Sequence, residues 1–169
     1  MPVESGQEAP DFTLKDQDGN EVTLSSFRGN QSVVVVFYPF TFTGVCEGEL
    51  CSLRDTLSEF DAVKAQVLAI SCDSRHAQKQ WSTQQGFTFP VLSDFWPHGE
   101  VAKAYGVFND ALGCANRATF VIDKNGTVVD TFASPNLGTP RDKAAYEAAL
   151  EKLGSRTEPD EEHGCAFPT

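Results

Sequence analysis

The sequence predicts an α/β fold in which a central mixed β-sheet is flanked by helices. The first observation is the run SVVVVFYPF at residues 32–40, whose continuous β-branched and aromatic side chains are typical of a strand covered on both faces. The second is the run QVLAIS at residues 66–71, which predicts another buried strand. Leucines recur at helical spacing between the two runs, and because neighbouring parallel strands need a crossover, this order indicates a β-α-β unit.

A β-hairpin is predicted at the N-terminal side of this unit. Residues 9–27, APDFTLKDQDGNEVTLSSF, alternate apolar and polar side chains on both sides of DQDGN, where Asp-Gly-Asn favours a tight turn. We expect this segment to end near Phe27. Pro39 then ends the first buried strand, because proline has no backbone N–H to donate to a neighbouring strand.

The helices of the first half follow from spacing and capping signals. Apolar side chains recur at steps of three and four residues at Leu50, Leu53, Leu57, Phe60 and Val63. This spacing predicts one amphipathic helix that begins near Val45. After the second strand, Asp73 is a favourable N-cap and predicts another helix that runs through Trp81.

The second half of the sequence predicts further helices and a second hairpin. Residues 86–99, GFTFPVLSDFWPHG, are rich in turn formers and aromatic side chains, and residues 99–108 predict a short helix closed by Gly106. The runs RATFVID and GTVVDTF flank KNG, which is a hairpin signal, and a last helix is predicted over residues 142–153. This order of elements fits a thioredoxin-like topology.

Length and charge limit the organisation and the partners of the chain. Its 169 residues predict one domain over residues 1–153 and an acidic, flexible C-terminal tail over residues 154–169. A net charge of −11 disfavours nucleic acid and anionic membranes, which bind clustered Lys and Arg. Apolar runs are too short to span a bilayer, and the N-terminal stretch lacks the apolar centre of a signal peptide. We therefore expect a cytoplasmic protein.

The five cysteines do not suggest a secreted disulfide framework, because their number is odd and their spacing irregular. They are Cys46, Cys51, Cys72, Cys114 and Cys165. The alternatives are buried packing residues, metal ligands and reactive thiols. Structural zinc sites favour sets of paired Cys-x2-4-Cys knuckles. Cys72, Asp73 and His76 do not form a second such pair to accompany Cys46 and Cys51, and His76 is more simply an exposed polar residue in the first turns of a helix. We therefore expect no metal and no cofactor.

Cys46 is the strongest candidate for a reactive thiol. It is predicted in the first turn of a helix after a proline-containing loop, where unpaired backbone N–H groups and the helix dipole favour a thiolate. Thr43 can place a hydroxyl beside the sulfur. Burial as a small apolar residue is the commoner fate of a cysteine, but the strand-to-helix corner favours reactivity. A dithiol reductase would need Cys-x-x-Cys, and a phosphatase an arginine closer than Arg54.

The segment PFTFTGVC, from Pro39 to Cys46, resembles the peroxiredoxin signature Pro-x-x-x-Thr-x-x-Cys. The longer stretch FYPFTFTGVCEGEL is similar to the alkyl hydroperoxide reductase E branch of that family. The likeness extends over nearly the whole chain before the tail and includes APDFTL, GFTFPVLSDFWPHG, AYGVFN and NRATFVID. In the last of these, Arg117 matches the active-site arginine of the family.

This resemblance implies a thiol peroxidase that reduces hydrogen peroxide, organic hydroperoxides and peroxynitrite. The Cys46 thiolate attacks a peroxide oxygen and becomes a sulfenic acid. Arg117 and Thr43 are then expected to hold the peroxide and to stabilise the departing oxygen. Glu49, three residues after Cys46, is expected to orient the guanidinium, and Pro39 to shield the sulfur from water.

The resemblance leaves the resolving thiol open. Peroxiredoxins of the Q or bacterioferritin-comigratory-protein type use a second cysteine five residues after the first, the position of Cys51. On an intact helix that spacing is roughly 8–9 Å between Cα atoms, whereas a disulfide needs less than about 7 Å. The first turns must therefore unwind, and Gly48 lowers local helix stability. Cys165 on the tail is a further candidate, and Cys72 and Cys114 are background candidates.

If none of these thiols resolves Cys46, an external thiol must do so. The reductants implied are thioredoxin, a mycoredoxin-like glutaredoxin or a low-molecular-weight thiol. A homodimer is also implied. The aromatic side chains Phe40, Phe42, Phe95 and Trp96 either fill the core, which is the commoner fate of such residues, or, as the resemblance implies, lie near the dimer interface or around the peroxide entrance. A peroxide sensor or holdase chaperone is the non-enzymatic alternative, which would show oxidation-dependent partner binding without turnover.

Overall fold

A computed structural model describes residues 2–134 and 136–153 of the chain. The strands in these residues are Thr13–Lys15 (β1), Glu21–Thr23 (β2), Ser32–Phe37 (β3), Ala65–Ser71 (β4), Val91–Ser93 (β5), Phe108–Asn109 (β6), Cys114–Ala115 (β7), Ala118–Ile122 (β8) and Val128–Ala133 (β9). The helices are Gly44–Asp55 (α1), Leu57–Ala62 (α2), Arg75–Gln85 (α3), Glu100–Ala104 (α4) and residues 143–153 (α5). A 3-10 helix covers Leu24–Phe27.

The main sheet is mixed, as the sequence predicts. Its strand order is β2-β1-β5-β4-β3-β8-β9, and β6 and β7 form a separate two-stranded sheet. β3 runs parallel to β4, β4 parallel to β5, and β3 antiparallel to β8. The β-α-β unit, the N-terminal hairpin β1-β2 and the second hairpin β8-β9 are thereby confirmed.

The central strand β3 divides the interior into two hydrophobic cores. Val33, Val35 and Phe37 pack into one core, with the N-terminal segment and α4. The intervening Val34 and Val36 pack into the other core, with α1, α2, α3 and α5. All six residues of β3 are buried, because alternate side chains point to opposite faces of a strand and both faces are covered here.

The predicted single helix after β3 is wrong in one respect. It is broken between α1 and α2 at Thr56, whose φ and ψ of −111° and 15° are not helical. The Thr56 hydroxyl donates to the Ser52 carbonyl at 3.0 Å. A threonine that bonds back to the preceding turn competes with the helical ladder, which the apolar spacing did not reveal.

Two other predictions need correction. Ser74, and not Asp73, caps α3, since its hydroxyl accepts a bond from the Ala77 N–H at 3.3 Å. Asp73 instead faces the loop after β3. Residues 86–99 were expected to be turns, but they contain the short strand β5, which pairs with β4 and β1. Three residues are too few to show an alternating pattern.

The division into a domain over residues 1–153 and an acidic tail stays a prediction. The tail, with Cys165, lies outside the described residues. In the part of the chain that the structure describes, no helix is long and apolar enough to cross a membrane.

Candidate active site

The site is built at the point where β3 leaves the sheet and α1 begins. Tyr38 and Pro39 are still buried, and the chain then turns through an exposed loop. Phe42 adopts a left-handed conformation, with φ of +67°. Thr43 returns to an extended conformation as the N-cap of α1. This sharp corner places Cys46 in the first turn of the helix, as the sequence predicts, and the thiol is fully buried.

Arg117 reaches Cys46 from the start of β8. Its Nη1 lies 3.1 Å from Cys46 Sγ and 2.8 Å from Glu49 Oε1. Its Nε donates to the Leu137 carbonyl at 2.7 Å. The structure thus brings together the predicted cysteine, arginine and glutamate, and the guanidinium is held from two further directions. A guanidinium fixed at hydrogen-bond distance from the sulfur is placed to donate to an oxygen that the sulfur attacks.

A second arginine, which the sequence analysis missed, completes the cluster. Arg141 Nη2 donates to Glu49 Oε1 at 2.8 Å, and its Nε to Glu49 Oε2 at 3.1 Å. Its Nη1 donates to the Phe37 carbonyl at 2.6 Å. Arg141 precedes α5 in a segment without a periodic pattern or motif, so the sequence offered no local signal for it.

The charges in this cluster are compensated. The Glu49 side chain is only 7% exposed and lies between the guanidinium groups of Arg117 and Arg141. Burial works to raise the pKa of Glu49, but the hydrogen bonds and the charge of Arg141 outweigh it and hold the pKa below its usual range. The carboxylate is therefore ionised at neutral pH and can orient both arginines.

The Thr43 hydroxyl is not used to cap the helix. It donates to the Phe40 carbonyl at 2.7 Å, and it makes no bond to the N–H groups of α1. Thr43 as a residue is exposed, at the corner that precedes α1. Pro39 lies buried between β3 and this loop. Their roles beside the sulfur stay predictions.

Cys51 lies one and a half turns further along α1 and is partly exposed. Its thiol donates to Gln85 Oε1 at 3.4 Å, and Arg54 Nη1 donates to the Gln85 carbonyl at 2.5 Å. Near the other end of the helix, Trp81 Nε1 donates to Glu47 Oε1 at 3.4 Å. Burial raises the pKa of Cys51. In this arrangement Cys51 is bonded to α3 and not to Cys46.

The remaining described cysteines are buried. Burial raises the pKa of Cys72 to about 12, and it also raises the pKa of Cys114. All four cysteines within the described residues are free thiols. Among the same residues, no group of three or more His, Cys, Asp or Glu side chains is arranged to hold a metal ion.

The geometry defines the class of chemistry available here. A buried thiol lies at a helix N-terminus, with a cation at hydrogen-bond distance and a threonine as the N-cap of that helix. Such a sulfur can attack an electrophilic oxygen, and the cation can meet the negative charge that the leaving oxygen gathers. A thioredoxin-like fold with this site is that of a thiol-dependent peroxidase.

The chain belongs to the AhpC/TSA family, which matches residues 5–131. It is 51% identical over 149 residues to alkyl hydroperoxide reductase E of Mycobacterium tuberculosis, covering 88% of this chain and 96% of that protein. It is also 41% identical over 127 residues to the chloroplastic peroxiredoxin Q of Oryza sativa, covering 75% of this chain and 57% of that one. The predicted membership of the peroxiredoxins is confirmed, and the protein is a thiol-dependent peroxidase, an oxidoreductase.

Solved structures agree with this assignment. Peroxidoxin BcpB of Mycobacterium tuberculosis superposes with a TM-score of 0.80 at 34% identity, covering 90% of this chain and 97% of that one. A reduced 2-Cys peroxiredoxin of Plasmodium vivax gives a TM-score of 0.79 at 28% identity, covering 96% and 85%. The thioredoxin-like fold expected from the order of elements is therefore confirmed.

Proposed function

We propose that Cys46 is the peroxidatic cysteine of this enzyme. The observation that carries the proposal is the contact of 3.1 Å between Cys46 Sγ and Arg117 Nη1 at the start of a helix. No other described cysteine has an arginine hydrogen-bonded to its sulfur. Reactive thiols occupy such electropositive surroundings, whereas structural cysteines do not.

The reaction transfers one oxygen atom to the sulfur. The Cys46 thiolate attacks one oxygen of the hydroperoxide ROOH, an S–O bond forms and the O–O bond breaks. The thiolate becomes a sulfenic acid, and RO⁻ leaves and takes up a proton to give ROH. Arg117 donates to the oxygens as charge moves from sulfur to the leaving group, which lowers the barrier more than it stabilises the bound peroxide.

The other site residues hold these groups in place. Thr43 is proposed to bind the peroxide next to the sulfur, and Pro39 to keep water away from it. Glu49 is proposed to orient Arg117, supported by the bond of 2.8 Å between them. Because Arg141 also holds Glu49, the guanidinium of Arg117 is fixed before the substrate arrives.

The test compares peroxide consumption by the wild-type enzyme and by Cys46→Ser, with a dithiol reductant in excess. We expect turnover to be abolished in Cys46→Ser and retained in Cys72→Ser, the matched control at a buried thiol whose sulfur has no hydrogen bond from an arginine. Trapping with dimedone should label residue 46 alone. Retained turnover in Cys46→Ser, or a label at another cysteine, would refute the assignment.

We also propose that Cys51 resolves the sulfenic acid. Its thiolate attacks the Cys46 sulfur, a disulfide forms and the hydroxyl leaves as water. The intact α1 keeps the two residues on different faces, so the first turns must unwind and the contacts of Cys51 and Glu47 with α3 must be released. The alternative is a one-cysteine cycle, in which an external thiol attacks Cys46 directly. An intact α1 favours this alternative, because it keeps Cys51 away from Cys46.

Substrates and partners are proposed from the resemblance and from the surface. Alkyl hydroperoxides and hydrogen peroxide are the proposed substrates, in line with the name of the 51% identical relative. The proposed reductant is thioredoxin, a mycoredoxin-like glutaredoxin or a low-molecular-weight thiol, and the cytoplasm is the compartment that supplies them. A homodimer is supported by exposed aromatic side chains on the loop before α1 and on the loop after β5: Phe40, Phe42, Phe95 and Trp96.

A further inference from the structure

We propose that Asp73 is a positioning residue of the active site, because its carboxylate fixes the Phe40–Thr41 peptide plane that orients the Thr43 hydroxyl. This inference rests on the proposed roles of Cys46 and Thr43. Asp73 lies in the connection between β4 and α3, and it belongs to neither the strand nor the helix that presents Cys46.

The hydrogen bonds of Asp73 and of Thr43 are both made to the peptide group between Phe40 and Thr41. The Thr41 N–H donates to Asp73 Oδ2 at 2.8 Å, and the Phe40 carbonyl accepts from Thr43 Oγ1 at 2.7 Å. This N–H and this carbonyl belong to the same peptide group, which is planar and cannot rotate internally. The carboxylate therefore sets the direction of the carbonyl, and the carbonyl sets the direction of the Thr43 hydroxyl.

This coupling determines how Thr43 can meet a hydroperoxide. A hydroxyl has one proton to donate and two lone pairs that accept. Since the Thr43 proton is directed to the Phe40 carbonyl, only the lone pairs face the substrate. Thr43 can then accept the O–H of the hydroperoxide, while Arg117 beside Cys46 supplies the donors. Rotation of the peptide plane would turn that proton elsewhere and would remove this complementarity.

Asp73 is itself held by the sheet. Ser71 Oγ, at the end of β4, donates to Asp73 Oδ2 at 2.7 Å. The buried Gln78 of α3 donates from Nε2 to Ser71 Oγ at 2.9 Å and to the Leu92 carbonyl at 2.9 Å. The position of the carboxylate thus depends on β4, β5 and α3, which are parts of the rigid core.

The loop needs such an anchor because its conformation is strained. Phe42 has a φ of +67°, a region that side chains other than glycine rarely adopt and that costs free energy. Besides the bond to Asp73, Thr41 is held by a hydrogen bond of 2.9 Å between its Oγ1 and Tyr38 Oη. Without Asp73 the Thr41 N–H loses its partner, and the loop can relax away from the strained conformation.

The experiment measures two rate constants for Cys46 in the full-length chain: sulfenic acid formation with hydrogen peroxide, and alkylation by iodoacetamide. Rapid quench and mass spectrometry report both. In Asp73→Ala we expect the peroxide rate constant to fall about tenfold or more, the effect of leaving one donor unpaired. The alkylation rate should stay within about twofold, because alkylation needs the thiolate but not Thr43.

Two further variants separate positioning from general destabilisation. Asp73→Asn keeps an acceptor oxygen of the same shape and should restore most of the peroxide rate. Ser74→Ala, at the residue after Asp73, removes the N-cap of α3. This variant should lower the free energy of unfolding without changing the rate of Cys46 oxidation by peroxide. If Asp73→Ala does not fold, Asp73→Leu removes the acceptor while it keeps the number and branching of the side-chain heavy atoms.

Each outcome decides the proposal. A wild-type peroxide rate in Asp73→Ala, a parallel fall of both rates, or no rescue by Asp73→Asn would overturn it. Cys46→Ser is measured alongside, and if peroxide still oxidised the protein at the same rate in that variant, the assignment of Cys46 would fail, and with it the role of Asp73. Loss of oxidation in Cys46→Ser together with an unaffected Asp73→Ala would refute the positioning role alone.

Discussion

The side chain of Arg141 binds the carboxylate of Glu49 through two hydrogen bonds, from Nη2 to Oε1 at 2.8 Å and from Nε to Oε2 at 3.1 Å. The same Oε1 accepts from Arg117, whose Nη1 also contacts the Cys46 sulfur. The carboxylate therefore connects an arginine that contacts the sulfur to an arginine that contacts the backbone of β3. This arrangement fixes the geometry of the site in the absence of substrate.

Replacing Glu49 should destabilise the fold. Glu49→Gln leaves two nearly buried guanidinium groups without a counter-charge, so we expect a loss of about 3 kcal/mol in the free energy of unfolding at neutral pH. Urea denaturation followed by circular dichroism measures this loss. Asp55→Asn, which removes a partly exposed ion pair with Arg54, is the control and should cost less than about 1 kcal/mol.

The effect of Glu49→Gln should depend on pH. The pKa of Glu49 in the folded protein lies below its ordinary value of 4.5, so the carboxylate stabilises the fold above that pH. This contribution is lost as the pH falls through the folded pKa. The difference in unfolding free energy between wild type and Glu49→Gln should therefore shrink below pH 4.5. A difference that is constant with pH would contradict this account.

Replacing Arg117 should mainly reduce activity, whereas replacing Arg141 should mainly reduce stability. Arg117→Ala removes the donor at the sulfur and should slow peroxide reduction about a hundredfold or more, while Glu49 keeps its bonds to Arg141. Arg141→Ala should cost more stability, because it removes two hydrogen bonds to Glu49 and the donor to the Phe37 carbonyl. Arg117→Ala removes one bond to Glu49 and the donor to the Leu137 carbonyl. Peroxide-consumption assays and thermal unfolding of both variants compare the loss of activity with the loss of stability. The reverse order of effects would mean that Arg117 is mainly structural.

The proposed resolving role of Cys51 can be tested by oxidising the protein once and mapping its disulfides. With one equivalent of peroxide and denaturing capture of free thiols, peptide mapping should find a Cys46–Cys51 disulfide in the wild-type protein. Cys51→Ser should instead retain the sulfenic acid at Cys46 and proceed to sulfinic acid with more peroxide. A sulfenic acid that persists in the wild-type protein, with Cys51 free, would indicate a one-cysteine cycle.

The disulfide step should accelerate with pH. Burial raises the pKa of Cys51 above its ordinary value of 9.0, so only a small fraction is thiolate at neutral pH. Below that pKa the thiolate fraction rises about tenfold per pH unit, and the rate of disulfide formation should rise with it. Rapid-quench measurements at a series of pH values test this, and a flat profile would show that helix unwinding limits the rate.

The proposed homodimer can be tested by a substitution in the exposed aromatic loop that contains Trp96. Trp96 is 82% exposed and lies next to Phe95, which is also exposed. Trp96→Asp should shift the protein from dimer to monomer, because a charge is costly in an apolar interface. Sedimentation velocity measures the shift, and Thr83→Asp on the exposed surface of α3 is the matched control. A dimer that is unaffected by Trp96→Asp would place the interface elsewhere.

Local patterns were sufficient to predict most of the helices and strands, and Cys46 in the first turn of a helix. The β-branched run of β3, the turn before Thr127 and the helix that begins before Cys46 each depend on neighbours a few residues apart. The spacing of three residues places Glu49 on the helix face of Cys46, whereas its role beside Arg117 was predicted from the resemblance to the family.

Features that depend on contacts distant in the sequence were not predictable in this way. Arg141 and Glu49 are 92 positions apart, and the segment of Arg141 has no periodicity. β5 is ordered by pairing with β4 and β1, which its three residues cannot indicate alone. Asp73 was expected to cap α3, because an N-cap signal is local, whereas its actual partner Thr41 comes from another loop.

Trp81 gives the enzyme a built-in optical probe of its active-site helix. Its buried indole contacts Phe42 before Cys46, with ring centroids 6.3 Å apart, and donates to Glu47 after it. Unwinding the first turn of α1 must change these surroundings and so the emission of the indole. Trp96 is solvated and would add a red-shifted background. In Trp96→Phe, a single fluorophore would therefore follow each folding and unfolding of the helix during turnover in real time.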